Sequence, residues 1–276
     1  MSTLTSRLFL PLTLAAALGA GGCDIQVGDN GVSLDLAQGK ATDEWVRTYS
    51  LPASGRLEIV NANGAIDAEP ASGQQVEVRI ERVARAGSDE DARKLLQGLQ
   101  MDEQVSKDRV RIEARLPEAS GFRRRSGITL RYHVRVPAGL AASFETANGG
   151  IRLSDLNARI EATTTNGGIT AERMSGAVKA TAVNGGIRVE MASVTGDVEV
   201  SITNGGIRLE LPIDTRATLD ASCVNGGVRV DDDLKMQASE VSRRRVAGTL
   251  NGGGPKIVAS TVNGGINISA RGRQSD

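Results

Sequence analysis

"VEVSITNGGIRLE", residues Val198–Glu210, is the stretch that decides how this chain of 276 residues is interpreted. Apolar and polar residues alternate on both sides of an Asn-Gly-Gly tripeptide, which is typical of two β-strands joined by a tight turn. The tripeptide occurs seven times, with asparagine at positions 148, 166, 184, 204, 225, 251 and 263. The first four intervals are 18, 18, 20 and 21 residues, so the sequence predicts a repeat architecture.

Aligning the repeats assigns their residues to faces of the strands. The third residue after the asparagine is aliphatic in every copy except the one at 251, which predicts a buried column. The fourth and sixth residues are mostly charged and predict a basic column beside an acidic one on the outer surface: Arg152, Arg188, Arg208 and Arg229 beside Glu190 and Glu210. This stripe has two interpretations. Its charges screen one another on a soluble face, or they bind a polyanionic wall polymer or a protein partner.

Two architectures fit the repeat. In an up-and-down meander each Asn-Gly-Gly is a hairpin turn, whereas in a β-solenoid each repeat is a coil stacked about 4.8 Å from the last. Like residues recur at each copy and the predicted interior is small, which favours the solenoid. Stacked asparagines would then form a hydrogen-bonded ladder from coil to coil, a structural role without catalysis: Asn148, Asn166, Asn184, Asn204, Asn225 and Asn263.

The remaining segments predict the domain organisation. Residues 46–143 alternate as strands, but "SDEDARKLLQGLQ", residues 88–100, has a capping serine and one apolar helical face, so we expect a short helix there. We expect an all-β solenoid over 144–270, capped by this strand-rich part, with a tail at 271–276.

The first residues predict export and a lipid anchor. "LFLPLTLAAAL", residues 8–18, is an apolar core of secretory length, and "AGGC" ends at Cys23 like a bacterial lipobox. We therefore expect a lipoprotein signal peptide at 1–22, lipidation at Cys23 and a tether at 23–45. Such a protein would be held by its N-terminal lipid on a membrane of the cell envelope, in the periplasm or at the cell surface.

Composition and isolated residues argue against several functions. The 33 basic and 33 acidic residues balance, so a nucleic-acid partner is not expected. The chain's one histidine, His133, lies in a strand pattern, and Cys223 falls in an inward column. Asp231–Asp233, with Arg229 nearby, is the only carboxylate cluster suited to cleaving an acidic polysaccharide, but it lacks the spacing of a calcium loop. We predict no catalytic residue, metal or cofactor.

Several of these segments together resemble a bacterial family of adhesin-like proteins built of β-strand repeats, a domain of unknown function. They are "GRLEIVNANGAIDAE" (55–69), "ITLRYHVRVPAG" (128–139), "VTGDVEVSITNGGIRLE" (194–210) and "GTLNGGGPKIVASTVNGGINI" (248–268). The resemblance covers residues 46–270 and implies an envelope β-solenoid without established enzymatic activity.

These observations favour a non-enzymatic binding or scaffolding module of the bacterial envelope, whose partner is a cell-wall polymer, a glycan or an envelope protein. Two alternatives stay open at this point. One is a β-helical enzyme acting on polysaccharide, which a deep acidic groove would favour. The other is a regulatory partner in envelope-stress signalling.

Overall fold

The computed structural model describes residues 25–28, 31–34, 39–115 and 127–271. The chain divides into two compact units, residues 1–38 and 39–276. In the first unit, strands β1 (Ile25–Gly28) and β2 (Gly31–Leu34) pair as an antiparallel hairpin. The predicted signal peptide and Cys23 lie outside the described residues, as does the tail beyond 271.

The second unit is built almost entirely of strands. Its first elements are β3 (Gly39–Ser50), β4 (Arg56–Asn63), β5 (Ile66–Pro70), β6 (Gln75–Ala86), α1 (Asp89–Gly98), β7 (Gln100–Val105), β8 (Arg109–Arg115) and β9 (Gly127–Val136). The repeats follow as β10 (Ala141–Asn148), β11 (Ile151–Ser154), β12 (Ile160–Asn166), β13 (Ile169–Ser175), β14 (Val178–Asn184), β15 (Ile187–Ser193), β16 (Val198–Asn204) and β17 (Ile207–Pro212). The chain continues with β18 (Ala217–Asn225), β19 (Val228–Val230), a 3-10 turn (Asp232–Leu234), β20 (Met236–Val241), β21 (Arg245–Leu250), β22 (Lys256–Asn263) and β23 (Ile266–Arg271).

At six of the seven Asn-Gly-Gly copies the flanking strands belong to different sheets, which distinguishes a solenoid from a meander. The strand before the tripeptide lies in an eleven-stranded first sheet and the strand after it in a ten-stranded second sheet. The copy at Asn251 is the exception, because β21 and β22 both lie in the first sheet. Within each sheet, neighbouring repeats pair in parallel, for example β14 with β16 and β15 with β17. Each of these six tripeptides is therefore a corner between two sheets, and the predicted all-β solenoid is confirmed.

The coils stack in an order that differs from the order of the sequence near the C-terminus. In the first sheet, β16 is followed by β22 and only then by β18. The last coil of the chain, β22 and β23, thus lies between two coils that precede it in sequence, with parallel neighbours on both sides. The 38-residue interval between Asn225 and Asn263 holds β20 and β21, which cover the end of the stack as antiparallel strands.

The other end of the stack is closed by antiparallel strands and by α1. Strands β6 and β3 extend the second sheet, and β7 extends the first. The predicted helix is present at Asp89–Gly98, and the Ser88 side chain accepts a hydrogen bond from the Asp91 N–H at its start. Because β3 begins at Gly39, the second unit includes residues 39–45, the last part of the predicted tether at 23–45.

The core lies between the two sheets and is filled by the columns that the repeat alignment predicted. The residues three positions after the asparagine are in register from coil to coil, as with Ile151, Ile169 and Ile187. They are buried together with their partners in the first sheet, such as Ala180 and Val200. Since these side chains are small or aliphatic, the sheets pack closely with few aromatic residues.

The first glycine of each corner is required by the close approach of successive coils. A Cβ added to Gly185 would lie 2.1 Å from the carbonyl oxygen of Gly167, and one added to Gly205 would lie 1.7 Å from that of Gly185. The φ angle of Gly185, 146°, also falls in the region that favours glycine. The second glycine has more space, because a Cβ on Gly186 would be 3.9 Å from the nearest atom. In the earliest corner this second position is already occupied by Ala65.

We therefore expect opposite outcomes for two neighbouring substitutions. Gly185→Ala should destabilise the protein by about 2–4 kcal/mol, because the corner must move and its interstrand hydrogen bond is strained. Gly186→Ala should change the stability by less than about 0.5 kcal/mol. Urea unfolding of both variants beside the unmodified protein measures the difference. Equal losses of stability would show that the two glycines are not distinguished by coil-to-coil contact.

Candidate functional site

The asparagines of the corners form a continuous hydrogen-bonded ladder on the edge of the stack. Each Nδ2 donates to the Oδ1 of the asparagine in the preceding coil, at 3.0 Å from Asn166 to Asn148, from Asn184 to Asn166 and from Asn204 to Asn184. The ladder continues in the same direction: Asn263 Nδ2 donates to Asn204 Oδ1 at 2.8 Å, and Asn225 Nδ2 donates to Asn263 Oδ1 at 2.9 Å. Asn225 is the last member at this end. All six asparagines that the sequence singled out therefore lie in one ladder.

Two asparagines behave differently from the sequence pattern. Asn63, which belongs to an early half-copy of the repeat, adds a further step, because Asn148 donates to its Oδ1 at 2.9 Å. Asn251 belongs to a complete Asn-Gly-Gly copy but lies outside the ladder. Its Nδ2 donates to the backbone carbonyls of Ile213 and Thr215, so this copy forms a loop and not a corner.

The predicted charged stripe lies on the outer face of the second sheet, and its arginines are not equivalent. In stacking order the basic column reads His133, Asp67, Arg152, Thr170, Arg188, Arg208, Asn267 and Arg229. Arg152 pairs with Asp67 at 3.2 Å and Arg188 with Glu210 at 2.8 Å. Glu190 pairs with Arg271. Arg208 and Arg229 have no ion-pair partner among the residues that the structure describes.

Towards the N-terminal end, the stripe is a surface of compensated charge. A groove of about 810 Å³ on this face is lined by both acidic and basic side chains. Arg135 pairs there with Glu69 and Glu77, and its hydrogen bond to Glu69 raises the pKa of the guanidinium above its ordinary value. His133 is half exposed and its Nδ1 lies 3.9 Å from Asp67. This part of the stripe fits the interpretation that its charges screen one another.

Towards the C-terminal end, the same face carries a groove of about 960 Å³ with uncompensated positive charge. We call it the arginine groove; it is lined by Arg188, Arg208, Arg229 and Arg243, and by the second glycines of four corners, Gly186, Gly206, Gly227 and Gly265. These glycines contribute backbone and no side chain to the lining of the groove. Three of the four guanidiniums, those of Arg208, Arg229 and Arg243, have no carboxylate partner within the described ranges.

Arg243 comes from outside the repeats. It lies between β20 and β21, and its carbonyl accepts a hydrogen bond of 3.0 Å from the Val228 N–H, which fixes the loop against the last corner. Arg243 begins a run of three arginines, Arg243–Arg245. Arg245 points elsewhere, since it pairs with Asp220 and Glu240 and its hydrogen bond to Asp220 raises its pKa. A second run of three arginines in the sequence, Arg123–Arg125, lies outside the described residues.

The remaining candidates from the sequence have local structural roles. Asp231 caps the 3-10 turn: its carboxylate accepts from the Asp233 N–H at 3.1 Å and from the Ala270 N–H at 3.3 Å. Cys223 is buried in the inward column, opposite Thr261. In the described part of the chain no cluster of three histidine, cysteine or acidic side chains could hold a metal ion. Within these same ranges no helix has the length and apolar character to cross a bilayer.

A family model described as Toastrack DUF4097 matches residues 126–269, just over half of the chain. The chain belongs to the Toastrack DUF4097 family. This confirms the resemblance to adhesin-like proteins of β-strand repeats. The family is described as a domain of unknown function. No curated protein matches the chain in sequence.

Solved structures similar to this Toastrack protein come from several bacteria. A candidate cell adhesion protein from Clostridium sporogenes is 11% identical with a TM-score of 0.48, over 84% of this chain and 100% of that one. A candidate adhesin from Bacteroides fragilis is 9% identical with a TM-score of 0.35, over 83% and 97%. A candidate lipid binding protein from Parabacteroides distasonis is 8% identical with a TM-score of 0.33, over 83% and 97%. At these values the names do not bear on what this chain binds.

The ladder makes a graded prediction about stability. Asn184→Ala removes two ladder hydrogen bonds, one donated and one accepted, whereas Asn225→Ala at the end of the ladder removes one. We expect a loss of about 1 kcal/mol for Asn184→Ala, which lowers the melting temperature by about 2–4 °C, and a smaller loss for Asn225→Ala. Calorimetry of the two variants measures this. An unchanged melting temperature for Asn184→Ala would contradict a stabilising role.

Proposed function

We propose that this Toastrack protein is a non-enzymatic binding module of the bacterial envelope, and that its arginine groove takes a linear anionic polymer. The observation that supports this most directly is the set of three guanidiniums that have no carboxylate partner among the described residues, on a face where the other arginines of the stripe are paired. Uncompensated charge of one sign in a groove attracts ligands of the opposite sign.

The shape of the groove favours a chain-like ligand. Arg208 and Arg229 flank Asn267, so they project from positions two strand spacings apart along one line. Strands in a sheet are about 4.8 Å apart, so cations repeat along the stack at small multiples of this distance. A guanidinium offers paired N–H donors that match carboxylates and phosphates. A polymer of uronate or phosphate units could therefore contact several arginines at once.

The carboxylates near the groove argue for binding without cleavage. Glycoside hydrolysis requires two carboxyl groups that flank the scissile bond. Here Glu210 forms an ion pair with Arg188, and Glu190 forms one with Arg271. The Asp231 carboxylate accepts hydrogen bonds from two backbone N–H groups. Two alternatives were a polysaccharide-acting enzyme and a partner in envelope-stress signalling. No observation on the described residues specifically favours either of them.

The proposal places the module on a membrane through its N-terminus. Residues 8–23 have the secretory core and the lipobox-like "AGGC" described above, and acylation of Cys23 would provide two kinds of acyl linkage for stable anchoring. The protein would then present the arginine groove to polymers of the periplasm or of the cell surface. A negatively charged glycan or envelope protein would bind to the same guanidiniums.

Charge-neutralising substitutions test the groove. The variant Arg208→Gln/Arg229→Gln/Arg243→Gln should lose at least about tenfold in affinity for polygalacturonate at low salt, because each guanidinium contributes on the order of 1 kcal/mol. The matched control is Arg79→Gln/Arg131→Gln/Arg135→Gln, which removes the same charge from ion-paired arginines and should retain most of the affinity. Calorimetric titration, with dextran as a neutral polymer, gives the constants. Equal losses in both variants, or equal binding of dextran, would contradict the proposal.

The anchor is tested separately. Intact mass and membrane fractionation of the protein expressed with its leader should show a diacylglyceryl or triacylglyceryl mass in the membrane fraction. The Cys23→Ala protein should lack that added mass and should appear outside the membrane fraction, because a polypeptide without acyl chains lacks the lipid anchor. A wild-type protein of unmodified mass that fractionates like Cys23→Ala would remove the lipoprotein claim.

A further inference from the structure

The ladder contains one Asn-Gly step whose glycine N–H differs from all the others. In six corners this N–H donates to the carbonyl of the asparagine in the next coil: Gly64 to Asn148, Gly149 to Asn166, Gly167 to Asn184, Gly185 to Asn204, Gly205 to Asn263 and Gly264 to Asn225, at 2.8–3.1 Å. Asn225 belongs to the terminal coil of the described stack, where the next neighbour of β18 is the antiparallel strand β21 and not another coil. The Gly226 N–H therefore has no hydrogen-bond acceptor among the described residues.

This difference matters because Asn-Gly is a reactive sequence. The glycine nitrogen loses its proton to solvent base and bonds to Cγ of the asparagine, while the Cγ–Nδ2 bond breaks and ammonia leaves. The product is a cyclic succinimide. Water then opens the ring at one of its two carbonyl carbons and yields aspartate or isoaspartate, with no change in oxidation state.

At the interior Asn-Gly steps of the ladder, hydrogen bonds engage both reacting groups, the glycine nitrogen and the asparagine amide. The Gly185 nitrogen is engaged with the Asn204 carbonyl at 3.1 Å, and the Asn184 amide both donates to Asn166 and accepts from Asn204. Attack requires the corner to open first, and local opening in the middle of a stack is costly. At Asn225 the amide keeps one ladder bond, to Asn263, and the glycine nitrogen has no hydrogen-bond acceptor among the described residues that must first be released.

We propose that Asn225–Gly226 is a site of spontaneous deamidation in the folded protein, and that the interior steps of the ladder are protected by their neighbours. The opposite end is also protected, because the Gly64 N–H donates to Asn148 at 2.8 Å although Asn63 is the last member there. Asn251 lies outside this comparison, since its backbone conformation differs and its amide donates to two carbonyls.

The reaction would change both the ladder and the groove. A carboxylate at position 225 cannot donate to Asn263, so the terminal coil loses its ladder bond. Gly226 also lines the arginine groove, so the new negative charge is carried by the residue next in sequence to one of the lining residues. If the proposed function holds, deamidation weakens the attraction for anionic polymers, and the protein's affinity declines with its age.

Peptide mapping measures the reaction directly. Cleavage at arginine and lysine isolates Asn184, Asn204 and Asn225 in separate peptides. After incubation of the folded protein in mildly alkaline buffer, Asn225 should convert at least about tenfold faster than Asn184 or Asn204, because an interior step must first break a hydrogen bond and open its corner. In concentrated urea, which removes the structure, the three rates should agree within a small factor.

A variant confirms the assignment without depending on peptide recovery. Asn225→Ala should remove the acidic species that peptide mapping assigns to residue 225 from ion-exchange chromatography of the aged protein, while Asn184→Ala should leave that species unchanged. The proposal is overturned if interior asparagines react as fast as Asn225 in the folded protein. It is equally overturned if Asn225 reacts in urea but is as inert as Asn184 when folded. Neither result depends on whether the groove binds a polymer.

Discussion

The close approach of successive coils at the corners is the constraint on which the rest of the structure depends. The backbone of each corner leaves no room for a side chain at the first glycine, because the carbonyl of the neighbouring corner lies about where a Cβ would be. That closeness allows the glycine N–H and the asparagine amide to bond to the next coil. It also keeps the strands on both sides of the corner in parallel register, so the small aliphatic columns stack in the core.

The same constraint shapes the outer surface. Since the corner glycines have no side chains, the second sheet borders a strip of bare backbone, and the arginines four positions after each asparagine project beside it. Where the repeat supplies glutamates in register, as at Glu210, the arginines are paired. At the C-terminal end, Asn267 and Ser269 stand where other coils have Arg208 and Glu210, and the balance of charge changes. A requirement of coil packing thus determines where a ligand could lie.

Much of this fold could be predicted from the repeat itself. A column such as Ile151, Ile169 and Ile187 predicts register and burial without further information, because in-register stacking places like residues together. The order of the terminal coils could not be predicted: Asn225 precedes Asn263 in the chain, yet Asn263 lies next to Asn204. Sequence intervals describe separation along the chain and not which edge a strand joins. The contribution of Arg243 was hidden for the same reason, since a loop outside the period reaches the groove only through that arrangement.

Amide hydrogen exchange by NMR tests the stacking of the corners most directly. The account predicts strong protection for the N–H groups of Gly149, Gly167, Gly185, Gly205 and Gly264, each bonded to the neighbouring coil, and rapid exchange for Gly226 at the end of the stack. Protection of bonded amides should approach that of the core strands, because opening a corner disrupts coils on both sides. Rapid exchange at all six glycines would contradict the account, since it would describe solvated hairpin turns and not the corners of a solenoid.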